Sequence, residues 1–516
     1  MSDVSVLIVG GGTVGLATAV FLGHHGVRSM VVERRSAPSN HPRALGISPR
    51  SLELFREVGL RAELDAVAVR SALPWRAEAR TVADVGAPPE RISAAGWHGD
   101  DISPEISRGH YPQHRIDSVL IPAARRCGAT VEFGVALDHL ELDEEAVRAT
   151  LSDGRTIRAD YVIGADGVHS TVRSQLGVTV SGPGEIGGTN MNILFAADLV
   201  GRFGAMPVMT QIEHPEVNGI MLGVGEGEWV LHVPIENGTT LSPEQCVRAV
   251  RTAIGDPVPV EVLNAVPWRA TARMADEFRC GRAFLVGDAA RAISPLGAFG
   301  LNTGLADAHN VAWKLAMVIA GRAGDALLDT YHDERHPVAR TVTEQALLRL
   351  ENPRLHWDPN AAAERAAAGL YNAPVVTMAL RYASTAIVDP VPELPSTEDL
   401  VAALDGAPGS HLAHHWVERG VSTQDLNRSH FAILTGPDGH GWCDALQTLP
   451  VARSSDIRGV TLDAATAAAI GVAPAGAILV RPDNYIAWRT QGPADAERLA
   501  DIIATVTAMP VSSPVG

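Results

Sequence analysis

The chain has 516 residues, 46% of them hydrophobic and 20% charged, which is typical of a globular protein with two or three domains. Its formal net charge of −17 argues against non-specific binding to nucleic acid or to anionic membranes. Four scattered cysteines indicate neither a disulfide framework nor a metal site, and the six-residue apolar run at the N-terminus is too short for a signal peptide or a membrane span. We therefore expect a soluble, cytoplasmic protein.

A strand, a glycine turn and a helix open the chain. The apolar run 4–9 precedes three glycines in G-x-G-x-x-G register, Gly10, Gly12 and Gly15. They permit a tight turn, the approach of a pyrophosphate to the helix N-terminus, and close packing of the helix on the strand. A second apolar run ends at Glu33, at a spacing expected of a carboxylate that binds a ribose hydroxyl. The stretch predicts a dinucleotide site for FAD or NAD, because the acid disfavours the 2′-phosphate of NADP here.

The next part of the chain mixes helical and strand patterns. The predicted elements are, in order, a helix over 49–58, an aperiodic excursion over 71–110, a helix from 112 to about 127, a strand over 128–134, a hairpin of 137–142 and 147–151, and a buried strand over 161–164.

Strands dominate from about 180 to 270, and are predicted over 190–196, 206–213, 219–224 and 229–234. Residues alternate in the first of them, with Met191 and Ile193 on one face and Asn190 and Asn192 on the other. A mostly antiparallel sheet inserted into an α/β domain follows from this pattern.

Two later buried strands end in an acid beside a glycine, Asp166-Gly167 and Gly287-Asp288. At the end of a parallel strand such an acid can meet a ligand in the crevice of the sheet, although each is also compatible with an ordinary turn. A long apolar helix is predicted over 300–320, and a helix over 325–349 is expected to be interrupted at Pro337.

Three motifs in this order carry a resemblance to a known family. They are the glycine turn at 10–15, the segment IGADGVHSTVR at 163–173, and the segment GDAARAISPLGAFGLNTGLADA at 287–308. With them the chain resembles the class A flavoprotein monooxygenases, the family of para-hydroxybenzoate hydroxylase, over nearly its whole length. Within that family it is most similar to the aromatic polyketide hydroxylases of antibiotic biosynthesis.

The resemblance implies FAD as cofactor, with NADPH or NADH as a transient cosubstrate. Glu33 would hold the ADP half, Asp166 would serve the pyrophosphate regions of FAD and NADPH, and Asp288 would bind the ribityl or pyrophosphate portion. Backbone N–H groups at the start of the helix near 300 can stabilise negative charge on the reduced flavin. The residues implied for cofactor binding are Gly10, Gly12, Thr13, Val14, Gly15, Glu33, Arg34, Arg43, Gln113, Asp166, Asp288, Pro295, Gly297, Gly300, Leu301 and Asn302.

The chain departs from the family pattern at three positions. Arg291 stands where a histidine is usual, Ala298 replaces a common glycine in the flavin loop, and Asp117 sits where a glutamate is frequent. None removes a contact made by the backbone, but the altered loop is expected to affect flavin mobility.

The resemblance also implies an architecture. An α/β Rossmann-like FAD-binding domain of the GR2 type would be joined by an inserted, mostly antiparallel sheet domain and a C-terminal thioredoxin-like domain. The expected boundaries are 1–70, 100–178 and 270–345 for FAD binding, 71–99 and 179–269 for the substrate-binding sheet, 346–400 for a helical linker, and 401–516 for the C-terminal domain. Cys443 lacks a second cysteine at redox spacing. This last domain is expected to pack against the others or to form a homodimer.

Residues of the substrate pocket are expected on the inserted sheet and the flavin loop. The candidates are Met191, Ile193, Met209, Gln211, Met221, His232 and Pro295, and those for catalysis are His232, Gln211 and Arg43. Plain core packing is the alternative for the methionines. His232 is a possible base for a phenol, with a structural histidine as the alternative.

The implied reaction is an oxygenation of a small-molecule aromatic substrate. NADPH would reduce FAD, O₂ would form a flavin C4a-hydroperoxide, and a polycyclic, polyketide-like substrate would be hydroxylated. Neither nucleic acid nor a membrane is expected as a partner. The motifs leave open Baeyer–Villiger insertion or oxidative decarboxylation of a similar substrate, and a flavin-binding protein that does not oxygenate.

Overall fold

The computed structural model describes residues 2–39, 44–70, 72–88, 102–107 and 109–509. In chain order its strands are β1 (Val4–Val9), β2 (Ser29–Glu33), β3 (Ala72–Ala79), β4 (Thr130–Phe133), β5 (Leu137–Leu142), β6 (Val147–Leu151), β7 (Thr156–Gly164), β8 (Val180–Ala196), β9 (Met206–His214), β10 (Val217–Gly223), β11 (Glu228–Ile235), β12 (Glu261–Ala275), β13 (Arg279–Cys280), β14 (Ala283–Leu285), β15 (Arg291–Ala292), β16 (Trp416–Glu418), β17 (Val421–Ser422), β18 (Ala432–Thr435), β19 (Arg458–Thr461), β20 (Ala477–Val480) and β21 (Ile486–Thr490).

The α-helices are α1 (Thr13–His24), α2 (Pro49–Glu57), α3 (Arg61–Val67), α4 (Gln113–Arg126), α5 (Thr171–Gln175), α6 (Leu199–Phe203), α7 (Pro243–Ile254), α8 (Phe299–Ile319), α9 (Thr330–Glu351), α10 (Pro353–Trp357), α11 (Ala362–Ala367), α12 (Ala373–Met378), α13 (Leu400–Ala403), α14 (His440–Thr448), α15 (Pro450–Ser454), α16 (Ala464–Ala469) and α17 (Ala496–Val506). Short 3₁₀ turns lie at Val82–Asp84, Gly287–Ala289, Asp325–Leu328 and Thr423–Asp425.

A mostly parallel sheet forms the first layer, in the order β13-β14-β7-β1-β2-β4, with β5 and β6 attached beside β7. β1 pairs in parallel with both β2 and β7, and β14 pairs in parallel with β7. Residues 6–8 of β1 are fully buried, so successive side chains on both faces of the sheet are covered. A parallel strand covered on both faces is expected to be a continuous apolar run, as this one is. The predicted Rossmann-like fold is confirmed.

A second, mostly antiparallel sheet has the order β15-β12-β8-β11-β10-β9-β3. One of its faces is covered by α7, which begins with a capping box in which Ser242 and Gln245 bond each other's backbone N–H groups. Four of these strands were predicted from the sequence, whereas β12 and α7 were not. β3 supplies an edge strand from within the stretch expected to leave the first core, and it pairs in parallel with β9.

The helix α9 continues through Pro337, so the predicted interruption is wrong. Pro337 is exposed, which leaves the carbonyl group that loses its N–H partner close to water. Buried residues on both sides of it, Arg335 before and Val338 and Val342 after, anchor the two halves of the helix. Packing therefore outweighs the local cost of the proline.

The C-terminal sheet has the order β19-β18-β20-β21. β18 is parallel to β19 and antiparallel to β20, and helices follow β18, β19 and β21. This is the βαβαββα arrangement of a thioredoxin-like domain, as predicted. Cys443 on α14 is a free thiol, as are the other three cysteines of the chain.

Buried charges fasten this domain to α8 and α9. Glu334 accepts hydrogen bonds from Arg481 Nη1 at 2.5 Å and from Lys314 Nζ at 2.7 Å, and all three side chains are fully buried. Arg481 also pairs with Asp483, which accepts a bond from the indole of Trp313 on α8. The C-terminal domain is thus packed on the helix that begins at the flavin loop.

Candidate functional site

The glycine turn between β1 and α1 has the geometry that a pyrophosphate site needs. Gly10 has φ +112°, and a Cβ on it would lie 2.4 Å from the carbonyl oxygen of Ala165. A Cβ on Gly15 would lie 1.9 Å from the carbonyl oxygen of Gly10. Gly12, at the N-terminus of α1, faces open space, with no atom within 4 Å of an added Cβ. The backbone is therefore close-packed on the protein side and open on the side where an anion would approach.

Glu33 lies at the end of β2 beside this turn. Its carboxylate accepts hydrogen bonds from the backbone N–H groups of Gly11 at 2.8 Å and Arg35 at 3.0 Å, which orient it. It borders a cleft of about 460 Å³ together with Gly12 and Gln113. Arg35 lines this cleft, whereas Arg34, one of the two arginines predicted to bind the cofactor, is exposed and does not line it.

The floor of the cleft contains a buried carboxylate. Asp117 on α4 accepts a hydrogen bond from Thr13 Oγ1 at 2.5 Å. Burial raises the pKa of Asp117 to about 6, against the opposing effect of that bond. His114 also lines the cleft, and its buried Nδ1 has no hydrogen-bond partner among the described residues. The sequence analysis did not single out His114, whose only signal was its place beside Gln113.

Asp166 follows β7, next to the glycine turn. Its carboxylate accepts hydrogen bonds from Ser170 Oγ at 2.5 Å and from the backbone N–H groups of Thr171 at 2.7 Å and Val172 at 3.1 Å. These bonds aim the carboxylate at the start of α5. Asp166 therefore stabilises the loop whose Ala165 packs against Gly10, and a direct contact with the cofactor stays a prediction.

The first and third motifs meet at Val14. A Cβ added to Gly287 would lie 3.2 Å from the Val14 side chain, and one added to Gly304 would lie 2.8 Å from it. Gly287 has φ +59° and begins the 3₁₀ turn that presents Asp288 to solvent. The small residues of α8 and of the turn thus bring two distant motifs into contact across α1.

A buried carboxylate, Asp307, ties the third motif together. Its Oδ2 accepts hydrogen bonds from Arg291 Nη1 at 2.5 Å and from the Gly287 N–H at 3.1 Å, and its Oδ1 accepts one from Arg335 Nε at 2.8 Å. Both arginines are buried. Arg291, the departure from the usual histidine, therefore has a structural partner on α8. Sequence analysis missed Asp307 because its partners lie 16 and 28 residues away.

The flavin loop leads into α8. Gly297 has φ +98°, and Ala298, the residue before the helix, has φ +55°, a left-handed conformation that favours glycine. Asn302 holds the loop in place, because its Nδ2 donates to the Ala298 carbonyl at 2.8 Å and its Oδ1 accepts from the Ser48 N–H at 2.7 Å. The Asn302 side chain is thus engaged within the protein, while Gly300 and Leu301 leave the helix N-terminus available.

One face of the second sheet is turned towards the first domain. Leu194 and Val230 are directly paired on this face and pack with Leu45, which precedes α2. The next pair along the same strands is Asn192 and His232, whose Oδ1 and Nδ1 atoms lie 2.5 Å apart. Met209 and Gln211 belong to the same two rows, since they pair with Leu222 and Ile220 beside Val230 and His232.

Three predicted pocket residues lie on the opposite face. Met191, Ile193 and Met221 are 2%, 0% and 2% exposed and belong to the core between the sheet and α7. The structure therefore places them away from His232, and the expectation that they line the pocket with it is corrected. The alternation was predicted, but only the position of α7 decides which face is covered. Pro295 lies at the flavin loop, and Arg43 lies outside the described residues.

The residues present fit FAD. The open side of Gly12, the oriented Glu33 carboxylate and the cleft between them suit an ADP group. Because Val14 contacts Gly287 and Gly304, Asp288 and the N-terminal part of α8 lie beside the glycine turn. A dinucleotide cofactor that extends from the first motif to the third is the ligand this arrangement accommodates.

Comparisons with known proteins agree with this geometry. A family model described as FAD binding domain matches residues 3–346, and one described as aromatic-ring hydroxylase, C-terminal, matches residues 405–510. Tetracenomycin B2 monooxygenase-dioxygenase of Streptomyces olivaceus is 37% identical, with 96% of each chain covered. Aklavinone 12-hydroxylase RdmE of Streptomyces purpurascens is 33% identical, with 96% of this chain and 97% of the relative covered.

Two solved structures are similar over almost the whole chain. A ternary complex of aklavinone-11 hydroxylase with FAD and aklavinone has a TM-score of 0.85 at 30% identity, covering 98% of this chain and 99% of that one. The flavin-dependent monooxygenase PieE in complex with FAD and substrate has a TM-score of 0.85 at 30% identity, covering 99% and 100%.

The chain therefore belongs to the FAD-dependent aromatic-ring monooxygenases. It is a flavin-dependent monooxygenase, and the similarity to aromatic polyketide hydroxylases that the motifs predicted is confirmed. No described helix has both the length and the apolar composition needed to span a bilayer.

Proposed function

We propose that this enzyme hydroxylates a polycyclic aromatic polyketide, with NADPH as the source of reducing equivalents. The observation that carries the proposal is the placement of the sheet face of Val230 and His232 opposite the segment of Leu45 and the flavin loop held by Asn302. A flat ring system would fit between a half-apolar sheet and a flavin edge. Two relatives that the chain is similar to are named as a tetracenomycin B2 monooxygenase-dioxygenase and an aklavinone 12-hydroxylase.

FAD would be held by the turn at residues 10–15, Glu33 and the helix N-terminus at Gly300. When bound, it supplies hydride acceptance from a nicotinamide and the activation of O₂. The backbone N–H groups at the start of α8 provide partial positive charge for an anionic flavin edge. The free cysteines support a location in a reducing compartment such as the cytoplasm.

The pair of His232 and Asn192 gives the sheet a polar group for the substrate. Because the Asn192 amide oxygen can only accept, the 2.5 Å contact assigns the proton to His232 Nδ1. A neutral imidazole then carries its lone pair on Nε2, which is the atom that would accept the proton of a phenol. Deprotonation makes the ring more electron-rich, and Asn192 would stabilise the orientation of the imidazole.

The test uses the FAD-loaded enzyme with aklavinone under ¹⁸O₂ and NADPH. We expect substrate to accelerate NADPH oxidation and the product to gain one ¹⁸O atom as a phenolic hydroxyl. His232→Gln should lower the rate of hydroxylation by about 10²-fold while flavin content is unchanged. Thr239→Val, at an exposed turn on the same sheet domain, is the control.

The proposal fails if NADPH oxidation with polycyclic phenols yields only hydrogen peroxide. A lactone of the same mass would instead assign the Baeyer–Villiger reaction. A His232→Gln enzyme with full activity would remove the residue from the mechanism without affecting the rest.

A further inference from the structure

A continuous line of side chains joins the edge of the substrate-binding sheet to the flavin loop. The Arg76 guanidinium on β3 lies over the ring of Trp357 at 4.2 Å. The ring of Trp357 contacts that of His356, with centroids 4.3 Å apart, and His356 Nδ1 lies 3.3 Å from Arg349 Nε. Arg349 in turn lies over the ring of Phe299, the first residue of α8, at 4.8 Å. We call Arg76, Trp357, His356, Arg349 and Phe299 the cationic wall.

The wall carries positive charge that the described residues do not neutralise. Arg349 is fully buried, yet its hydrogen bonds go to neutral acceptors, including the carbonyl oxygens of Gln345 at 2.9 Å and Tyr371 at 2.6 Å. Within the described part of the chain neither Arg349 nor Arg76 forms an ion pair. Burial and, next, the proximity of Arg365 lower the pKa of Arg349 to about 10.

The surrounding acids are engaged elsewhere, with one exception. Glu398 pairs with Arg365, and Asp358 pairs with Arg354. Glu78, two residues along β3, is the acid that faces Arg76. The field of the arginines is visible at His356, whose pKa is lowered to about 4 by burial and then by Arg349, Arg76 and Arg365. A further positive charge is therefore strongly disfavoured beside these arginines, and a negative charge is favoured there.

Arg76 also lies on the sheet face that is turned towards the flavin loop. It pairs with Met209, which pairs with Leu222, which pairs with Val230 in the row described above. Directly paired residues of neighbouring strands point to the same face. The exposed Arg76 guanidinium therefore lies on the same sheet face as Val230, at the edge strand β3, and the contacts of the wall lead from it to Phe299 at the start of α8.

We propose that the cationic wall binds an anionic oxygen of the aromatic substrate, a carboxylate or an ionised phenol, with Arg76 as the contacting cation. The proposal rests on the proposed function and names the class of substrate more closely. A guanidinium presents a planar fork of N–H donors that suits a carboxylate, and stacking on Trp357 holds that plane in place. Neither Arg349 nor Arg76 forms an ion pair among the described residues, so a bound anion would add its counter-charge to that of Glu78.

The test measures binding to the FAD-loaded enzyme by isothermal titration calorimetry at about pH 8. Anthraquinone-2-carboxylate is compared with anthraquinone-2-carboxamide, and 2-hydroxyanthraquinone with 2-methoxyanthraquinone. We expect the anionic member of at least one pair to bind about tenfold more tightly or better. The pair that shows the preference identifies the group as a carboxylate or a phenolate. In the variant Arg76→Met the preference should fall below about twofold with the neutral probes little affected.

Arg80→Met, four residues further along the same segment and exposed, is the matched control and should retain the preference. Arg76→Lys should retain most of it, since the charge is kept and the fork is lost. Equal affinity for charged and neutral probes in the unmodified enzyme overturns the proposal, as does an Arg76→Met enzyme that keeps the preference. Calorimetry reads binding without turnover, so a failure here is separate from a failure of hydroxylation.

Discussion

Asp117 is a carboxylate in the cleft where we expect the phosphates of the cofactor, which are negatively charged as well. Burial raises its pKa to about 6, and the hydroxyl of Thr13 is the donor that partly compensates. A family pattern with glutamate at this position would reach further, so the shorter Asp117 stays in the floor of the cleft. Its protonation state is therefore linked to folding.

Because the pKa of Asp117 is higher in the folded protein than in the unfolded chain, the folded state holds its proton more tightly. Stability from this group is present below about pH 4 and is lost as the pH rises through about 6. Asp117→Asn should remove that loss, which amounts to at most about 3 kcal/mol above pH 6. We expect the variant to have a higher thermal midpoint than the unmodified enzyme at pH 8, and at pH 4.5 the stability difference should shrink to about a third of its value at pH 8.

The measurement is thermal unfolding of the FAD-free protein across this pH range. Asp138→Asn, an exposed aspartate, serves as the control and should leave the pH dependence unchanged. An Asp117→Asn protein whose midpoint falls with pH as steeply as that of the unmodified enzyme contradicts the assignment.

At the scale of elements, α8 and α9 connect the parts of the molecule. The helix α8 begins at the flavin loop, and its second turn packs on α1 through Gly304. Trp313 and Lys314, nearer its other end, meet the C-terminal domain. Glu334 on α9 is the acceptor shared by Lys314 and Arg481. Lys314, the single lysine of the chain, is fully buried, and burial lowers its pKa to about 8.

Glu334→Gln should be strongly destabilising, by about 3–5 kcal/mol, because it leaves Arg481 and Lys314 buried with only Asp483 to balance them. The effect should appear as a lower thermal midpoint together with faster proteolysis between α12 and β18. Glu344→Gln, at an exposed position of the same helix, is the control and should change neither. Equal stability of the two variants would show that the network contributes little.

At the scale of the whole molecule, the C-terminal domain contributes to the stability of the fold. Its buried arginine, Arg481, completes a charge cluster whose other members belong to α8 and α9. Trp488 packs beside Trp442 within the domain, in a core that also includes Trp313. Cys443 lies 3.8 Å from Thr461 Oγ1 and has no cysteine partner.

A chain that ends at residue 404 should therefore be insoluble or lose FAD, because Glu334, Lys314 and Trp313 would become exposed and unpaired. Soluble yield and flavin content measure this. Cys443→Ser in the full chain should keep both, together with full activity, since no dithiol chemistry is available to it. A shortened protein that retains FAD and its thermal midpoint would contradict a structural role for the domain.

Much of the cofactor site could be predicted from local pattern. Gly10 and Gly15 are required by close backbone approaches within and beside their own turn, and Glu33 follows at a characteristic spacing, so a short stretch contains the signal. The strands that are continuous apolar runs could likewise be predicted from the sequence. The interruption at Pro337 was wrong because a local rule on proline cannot weigh the packing of residues on both sides of it.

The sequence alone determined the class of fold, a dinucleotide site and the order of the three motifs, because backbone geometry at glycines and the periodicity of strands are local properties. The choice of FAD over NAD came from the resemblance of the three motifs to a known family. The tertiary structure alone decided which face of the second sheet meets the flavin loop. The helix α7 covers the face that carries Met191, which leaves the face that carries His232 turned towards the loop. It also decided the partners of charged residues. The pairing of Arg291 with Asp307 and of Glu334 with Arg481, and the lack of an acid partner for Arg349 among the described residues, depend on which distant segments pack together. No spacing along the chain encodes them.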